Sequence, residues 1–505
     1  MRHALRLTIC AAGLSLACSD SSADEGTEGT DSTADEDSSA DEGSSGTEAG
    51  TETGSESSTD TDTDVGTETD AGTETDTSTT GGSEGSSACE DTELPLREGA
   101  EIVVSPGAEG KVMVDGQETS LRAVVTGASE GDTILLEDGT YTFTEAGDNE
   151  YTGVYVTTPN ITIRSVSGDP SAVILDADYR GLGNQSAVIT IDAPGVAVAG
   201  IGVRRSIFHL VHLWANADDV ILHDLELIDG GQQFVKASVG SGEVDGVEVS
   251  CTRFEMTDAG RANVWGYGGQ SGNTRCYTGG IDTHDSTNWT VRDSHFEGIY
   301  CDATEHPAHG KFPELRDDMV YTGGLAEHAI HMWDSAEGSG HVLTRNTIIN
   351  CARGIGFGQN AVVHGGVITN NAVSSSFAAD GSHDVGITVD RAVDTLVAHN
   401  TVYFSDPNSY GSGIEYRWAE TSNLSLHGNL SNRQIRARDS ATATLSDNRA
   451  EDADAGWFVD AAGGDLHLSQ CDGPGEAALH PEVGVDIDFE ERDSPTVIGA
   501  DQCSP

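Results

Sequence analysis

Short strings in which apolar and polar residues alternate recur along the chain from about residue 121 to residue 502. A period of two is typical of β-strands, and these strings show no helical period. Five of them carry an asparagine at an equivalent place, with spacings of 25, 29, 29 and 19 residues: Asn346, Asn371, Asn400, Asn429 and Asn448. A strand-rich unit of this length cannot close a core alone, so we expect the units to stack as a solenoid.

A parallel β-helix is the solenoid that suits such a repeat. Equivalent residues of successive coils then lie about 4.8 Å apart, the spacing between neighbouring strands. Buried asparagine side chains can hydrogen-bond from coil to coil at that spacing, so the five asparagines predict a ladder at one turn. Earlier strings, which begin at Val196, Val220, Val247 and Trp289, keep the alternation without the asparagine. The pattern therefore predicts an all-β fold.

Two segments at the ends of this region carry a family resemblance. The string Gly131-Asp-Thr-Ile-Leu-Leu-Glu-Asp-Gly-Thr-Tyr141 follows an amphipathic helix predicted at residues 120–128 and resembles the first turn of chondroitin and alginate lyase relatives. The strings Asp486-Ile-Asp488 and Ile498-Gly-Ala-Asp501 resemble the closing segment of bacterial β-helix repeat proteins. Over residues 121–502 the chain thus resembles the pectate-lyase-like superfamily. This resemblance implies a right-handed parallel β-helix with an N-terminal cap, in a group that includes polysaccharide lyases and glycoside hydrolases.

The first 18 residues have the pattern of an export signal. Arg2 and Arg6 precede a short apolar run that is too short to span a bilayer. Residues 14–18 resemble the lipobox of bacterial lipoproteins, although Ser15 stands where leucine is usual, so ordinary cleavage near Ala17 is the alternative. We expect acylation of Cys18 and anchoring to the cell envelope, at the outer membrane or the cell surface. Without acylation the protein would be secreted.

Residues 19–88 cannot form a core, because they consist almost entirely of Ser, Thr, Gly, Ala, Asp and Glu with no basic or aromatic residue. We predict a disordered acidic linker there and a folded domain at residues 89–505. The whole chain has 85 acidic and 25 basic residues, a net charge of −60, and only three lysines. Because nucleic acid is bound mainly by Lys and Arg, this balance argues against a nucleic-acid partner.

Seven cysteines remain after the signal, which suits an exported protein. Two disulfides are expected. Cys471 and Cys503 bracket the C-terminal segment, and Cys276 and Cys301 lie in the two long insertions described below. No CxxC pair indicates a zinc or redox site. The string Asp380-Gly-Ser-His-Asp384 is too weak to count as a calcium loop, so no metal ligand is assigned and Ca²⁺ is left open as a cofactor.

The strand that opens each coil predicts where chemistry would lie. Its first and third residues are mainly apolar, so the second and fourth should point outward, to solvent. The first outward column is His212, Lys236, Asp282, His331, Gly356, Thr388 and Glu415. The second outward column is Trp214, Ser238, His284, Trp333, Gly358, Asp390 and Arg417. Outward positions are polar by default, but two Trp and three His within four coils favour a sugar site over a plain solvated face.

Two insertions leave the solenoid at the coils that carry this cluster, at residues 257–279 and 300–324. Long loops often line functional sites. Candidates to wall the site are Arg261, Trp265, Tyr267, Arg275, His306, His309 and Lys311.

Three functions remain open from the sequence. A polysaccharide lyase is the first, with Lys236, His331, His212, Asp282 and His284 as candidate catalytic residues acting on a uronate. An inverting hydrolase is the second, since Asp390 and Glu415 should lie diagonally about 8 Å apart. An ion pair of Arg417 with Asp390 is the plainer explanation of that pair. A non-catalytic carbohydrate-binding or adhesin module is the third, with Trp214 and Trp333 stacking on sugar. The candidate substrate-binding residues overall are Trp214, Trp333, Arg417, Glu415 and Asp390.

Overall fold

The computed structural model describes residues 89, 92–147, 150–183, 187–237, 243–261, 263–264, 266–268, 273–301, 320–321, 325–333, 339–359, 361–378 and 383–502. The predicted signal, its acylation site Cys18 and the predicted linker lie outside these residues. So do Ser238, Trp265, His306, His309, Lys311 and Cys503. The side chains of Tyr267 and Arg275 are outside the described set as well.

The chain winds through three long sheets in turn, and successive coils pair in parallel, which confirms the right-handed parallel β-helix. Sheet 1 contains Glu101–Pro106, Val112–Val114, Gln117–Thr119, Thr133–Leu136, Thr162–Ser165, Ala197–Ala199, Ile221–His223, Glu248–Ser250, Thr290–Arg292, Val342–Thr344, Val367–Thr369, Leu396–Ala398, Leu424–His427 and Ala443–Ser446. Sheet 2 contains Gly139–Thr142, Val173–Asp176, Gly202–Ser206, Glu226–Gly230, Arg253–Glu255, His295–Glu297, Thr347–Ile349, Ala372–Ser375, Thr401–Phe404 and Leu430–Ser431. Sheet 3 contains Val154–Val156, Ile189–Ile191, Val211–Leu213, Gln233–Ala237, Gly279–His284, His328–Trp333, Arg353–Phe357, Ile387–Asp390, Ser412–Arg417 and Gln434–Ala437.

Smaller elements decorate the three sheets. The helices are Leu121–Gly127, Asp258–Arg261 and a 3-10 turn at Ala455–Trp457. The short strands are Val244–Asp245 with Ser286–Thr287, Val363–His364 with Ala392–Val393, Phe458–Asp460 with Asp465–Leu468, and Glu476–Ala477 with Thr496–Val497. No helix in the described part of the chain is long and apolar enough to cross a bilayer.

The core lies between the three sheets and is built by the inward residue of each strand. Phe254 and Phe296, on neighbouring strands of sheet 2, stack with ring centroids 4.2 Å apart. Both rings are fully buried, as are Phe234 and Phe357 from sheet 3. The alternation in the sequence therefore has the predicted cause: every second side chain of a strand enters one continuous core.

The predicted asparagine ladder is confirmed. The side-chain amide of Asn371 donates to Asn400 Oδ1 at 2.9 Å, and the amide of Asn400 donates to Asn429 Oδ1 at 3.0 Å. The same bond joins Asn346 to Asn371 and Asn429 to Asn448. The first four asparagines are fully buried. The stack supplies partners for amide groups that would otherwise be buried without one.

The cap helix also forms where the sequence predicts it. It spans Leu121–Gly127, and Ser120 Oγ accepts a hydrogen bond from the backbone N–H of Ala123 at the N-cap. Leu121 and Val125 point into the core. This amphipathic turn covers the first coil, whose apolar strands would otherwise meet solvent.

The cysteines agree in part with the predicted pairs. Cys276 and Cys301 form the predicted disulfide and so link the two insertions. Cys471 is disulfide-bonded, and its predicted partner Cys503 is not among the described residues. A third disulfide, Cys89 to Cys251, was not predicted. The buried Cys351 is free, which accounts for the odd number of cysteines.

The described parts of the two insertions meet in a small sheet. Asn273–Cys276 pairs with Gly266–Gly268 on one side and with Val320–Tyr321 on the other. Arg261 lies at the start of the first insertion, where its guanidinium donates to the carbonyls of Met256 and Gly298 and covers the ring of Tyr300. These contacts give Arg261 a structural role.

Candidate functional site

Sheet 3 brings the first outward column together in the predicted register. Lys236 pairs with Asp282, and Asp282 pairs with His331, on neighbouring strands. The remaining partners continue the same column in both directions, from His212 through Gly356 and Thr388 to Glu415. In the second outward column, His284 pairs with Trp333 and Asp390 with Arg417.

The column faces away from the core, but its charged and imidazole members are not solvated as expected. Ile281 and Ile330, which alternate with Asp282 and His331, are fully buried in the core, so the assigned faces are right. Asp282 and His331 are nevertheless only 3% exposed, and Lys236 only 6%. Polar side chains on adjacent coils here contact one another and aromatic rings, and this mutual packing removes them from water.

Lys236 lies at the centre of the cluster. Its ammonium donates to the carboxylate of Asp282 and to His284 Nε2, the latter at 3.0 Å. Because an ammonium has no lone pair, His284 Nε2 is the acceptor in this contact. His284 keeps 20% of its side chain exposed, so it connects the buried ion pair with solvent.

Asp282 is a buried carboxylate with one ammonium and two imidazoles around it. Burial alone would raise its pKa, but the charge of Lys236 and the contacts with His284 and His331 outweigh burial and hold the pKa of Asp282 well below its usual 3.8. His284 Nε2 and His331 Nδ1 each lie 3.4 Å from one of its oxygens. Asp282 therefore stays ionised and fixes the position of Lys236.

His331 marks the other side of the cluster. Its ring lies parallel to that of Trp333 at 6.0 Å and beside that of His328 at 4.4 Å. Its Nδ1 lies 3.8 Å from Glu327 Oε2. Neither His328 nor Glu327 was predicted as a site residue, although they stand three and four residues before His331 in the chain.

His212 and Trp214 form the opposite flank. Their rings are 4.8 Å apart, and His209 packs on the far side of His212 at 5.0 Å. Burial, together with His209 and the charge of Lys236, lowers the pKa of His212 well below its usual 6.5. Burial also lowers the pKa of His209 to about 4. Both imidazoles are therefore neutral near pH 7. Trp214 differs from them in being only half-buried.

The predicted residues further along the column have separate, structural partners. Glu415 is 2% exposed, and its two oxygens bind Arg438 Nη1 at 3.1 Å and the hydroxyl of Tyr410 at 3.2 Å. Arg417 donates to Asp439 at 2.8 Å rather than forming the expected ion pair with Asp390. Asp390 accepts from Thr388, and burial raises its pKa against the opposing charge of Arg417.

The sequence matches no protein-family profile, and no curated protein is significantly similar to it. Among solved structures, pectate lyase Pel9A has a similar fold, with a TM-score of 0.46 and 12% identity over 80% of this chain and 96% of that chain. An alginate lyase from Paenibacillus sp. str. FPU-7 matches with a TM-score of 0.36 and 12% identity, over 70% and 99% of the two chains. The Dettilon tailspike protein matches with a TM-score of 0.36 and 12% identity, over 65% and 62%. These similarities concern the fold.

Proposed function

We propose that this protein cleaves a uronate-containing polysaccharide by β-elimination at the cluster around Lys236. One observation carries the proposal: Lys236 is held by the ionised Asp282 and touches His284 Nε2, the ring nitrogen of a partly exposed imidazole. A fixed cation beside a solvent-connected base is the combination that this reaction requires.

The proposed step begins when Lys236, still paired with Asp282, exchanges its hydrogen bond to His284 Nε2 for one to the substrate carboxylate. That move frees the lone pair of His284 Nε2, which takes the proton from the carbon next to the carboxylate. The electron pair of this C–H bond forms a carbon–carbon double bond as the glycosidic C–O bond breaks. The proton on His284 then passes to the leaving oxygen, so the reaction is balanced without an oxidant or reductant. Lys236 stabilises the charge that develops on the carboxylate.

His331 and His212 are assigned to positioning rather than contact with sugar. The ring of His212 packs against the rings of His209 and Trp214. His331 lies against Asp282 and helps to fix it. Trp333 is half-exposed, and its ring meets His284 edge-on at 4.1 Å. A sugar ring stacked on Trp333 would thus lie next to His284, whereas Trp214 offers a second aromatic surface on the opposite flank.

The inverting hydrolase receives less support. Both oxygens of Glu415 are engaged by Arg438 and Tyr410 in a site with almost no exposed surface, which leaves no room to activate water. A binding module would need only Trp214 and Trp333. It therefore does not explain why Lys236 contacts both Asp282 and His284.

The test is a panel of uronate-containing and neutral polysaccharides incubated with purified protein. We expect unsaturated products, detected by ultraviolet absorbance, together with new reducing ends. Reducing ends without unsaturated products would replace the lyase by a hydrolase. Retardation in an affinity gel without either product would leave a binding module, and no response to any polysaccharide would refute a glycan function.

We also propose that the protein is exported and anchored by acylation of Cys18, which the sequence pattern alone supports. The wild-type protein should enter the detergent phase with the membrane fraction, and Cys18→Ser should remain in the aqueous phase. Equal partitioning of the two proteins would rule out the anchor.

A further inference from the structure

Three donor-bearing side chains meet beside the proposed reaction cluster: Glu327, His328 and His331. One ligand atom from each lies within 4.8 Å of the other two. His331 Nδ1 and Glu327 Oε2 are 3.8 Å apart. Two ligands held roughly 2.0–2.1 Å from a tetrahedral ion lie about 3.3 Å from each other, so a small inward shift of these side chains would complete the geometry.

Each of the two histidines carries a buried ring nitrogen that lacks a partner within the described part of the chain. Neither His328 Nδ1 nor His331 Nδ1 has a hydrogen bond from any described residue, and both atoms are shielded from solvent. His328 is 7% exposed and His331 3%. Burying a polar atom in this way is costly unless something binds it. Two such atoms in neighbouring rings point to a shared ligand.

Gly356 makes room for both rings. It is the next member of the outward column after His331. A Cβ atom at this position would lie 2.8 Å from His328 Cδ2 and Nε2 and 2.8 Å from His331 Cδ2. The absence of a side chain on Gly356 is therefore what allows the imidazoles to come together on this face.

We propose that Glu327, His328 and His331 bind a divalent transition-metal ion, with Zn²⁺ as the first choice. Two imidazoles and one carboxylate suit zinc, whereas Ca²⁺ and Mg²⁺ prefer oxygen ligands alone. Three protein ligands leave a fourth position open for water or a substrate oxygen, as in catalytic zinc sites. Glu327, with 28% of its side chain exposed, gives the ion a route from solvent. The ionised Asp282, whose Oδ1 is 3.4 Å from His331 Nδ1, adds a compensating negative charge.

The metal site shares His331 with the reaction cluster, but its test is separate from the β-elimination because it measures binding alone. The full chain, stripped with a chelator, is titrated with Zn²⁺ against a chromophoric competitor. We expect one tightly bound equivalent, and Glu327→Gln and His328→Gln should each weaken it at least tenfold. His295→Gln is the matched control. The partly exposed side chain of His295 lies in sheet 2, 3.3 Å from Glu297, so its loss should leave the affinity unchanged. Equal affinity in His328→Gln and wild type would overturn the proposal.

A second measurement does not depend on the folding of a ligand variant. Co²⁺ bound to the wild-type chain should give the visible absorption bands of a four-coordinate site with nitrogen ligands. Gly356→Ala, which would push both imidazoles aside, should weaken these bands while the far-ultraviolet circular dichroism stays that of a β-protein. A wild-type chain that shows neither the bands nor a tight Zn²⁺ equivalent would refute the site.

Discussion

Two columns of polar side chains run along successive coils, and they differ in how completely their groups are paired. In the asparagine column each amide donates to the next carbonyl oxygen, and the backbone supplies the remaining partners. In the outward column Lys236 and Asp282 form a buried ion pair, while His328 and His331 beside it retain ring nitrogens without a described partner. The first arrangement is closed to a ligand, and the second is not.

The residue types reinforce this difference. The ladder repeats asparagine because each coil makes the same hydrogen bond, which needs both an amide donor and a carbonyl acceptor in one side chain. The outward column changes at every coil, from Lys236 to Asp282 to His331 to Gly356, and no single stacking bond explains that order. We infer that the ladder stabilises the solenoid. The outward column instead holds charges that are costly to bury, as expected for the proposed reaction cluster.

The largest expected effect comes from breaking the buried ion pair. Lys236→Met leaves Asp282 charged and unpaired in a site with little solvent, so the free energy of unfolding should fall by about 3–5 kcal/mol. Urea unfolding measures it. Lys111→Met is the matched control, because Lys111 forms an exposed ion pair with Glu118 at 3.7 Å and should change stability by less than about 1 kcal/mol.

The double variant Lys236→Met with Asp282→Leu sharpens this result, because it removes both charges. It should regain most of the lost stability while lacking all turnover. A single Lys236→Met variant as stable as wild type would show that the pair is not buried in solution.

A smaller loss of stability should follow from opening the ladder. In Asn400→Ala, the side-chain amide and the backbone N–H of Asn371 lose their acceptor, and Asn429 Oδ1 loses its donor. We expect the free energy of unfolding to fall by about 2–3 kcal/mol. Thermal and urea unfolding measure the effect, with the exposed Asn408→Ala as the control. If Asn400→Ala were as stable as wild type, the ladder would not be a stabilising element.

The smallest expected effect is on the pH dependence of stability, in which the outward column and the ladder should differ. The folded pKa of His212 lies well below 6.5, so between pH 6.5 and that folded value the unfolded chain binds a proton that the native chain does not. The free energy of unfolding of the wild type therefore decreases as the pH decreases below 6.5. The full contribution of this one group is about 1.4 kcal/mol per pH unit. Glutamine does not titrate, so the stability of His212→Gln relative to wild type should improve by about 1 kcal/mol from pH 6.5 to 5.5.

Asn400→Ala provides the comparison for this experiment, since no titrating group is lost from the ladder. Its difference from wild type should stay constant across the same pH range in urea unfolding. A difference for His212→Gln that is equally constant would mean that His212 is not buried as a neutral imidazole.

Much of the fold could be predicted because its rules are local and repeated. A two-residue alternation at a regular spacing fixed the faces and the coil register, so Lys236, Asp282 and His331 were correctly placed on adjacent coils. The repeated asparagines predicted their own ladder for the same reason. The Cys276–Cys301 disulfide could be predicted because each cysteine belongs to one of two insertions that leave neighbouring coils.

The other features of the site depend on tertiary contacts that the sequence repeat does not predict. An outward position does not show what will cover it, so the burial of Lys236 and Asp282 was unexpected. Glu415 and Arg417 find Arg438 and Asp439 on the following coil, where the strand pattern gives no sign of charge pairing. Cys89 reaches Cys251 across 162 residues of sequence. His328 was overlooked because it lies outside the two strand positions from which the columns were drawn.

The central claim is that the outward cluster around Lys236 and His284 reacts while the ladder only supports the fold. The most direct test compares His284→Gln with Asn400→Ala in one assay, in which the initial rate of unsaturated product is measured per folded molecule on a uronate polysaccharide. Glutamine keeps an acceptor for Lys236 but cannot serve as the base. The account predicts a loss of at least about 100-fold in rate for His284→Gln with little change in stability, and a wild-type rate for the destabilised Asn400→Ala. A wild-type rate for His284→Gln would contradict it.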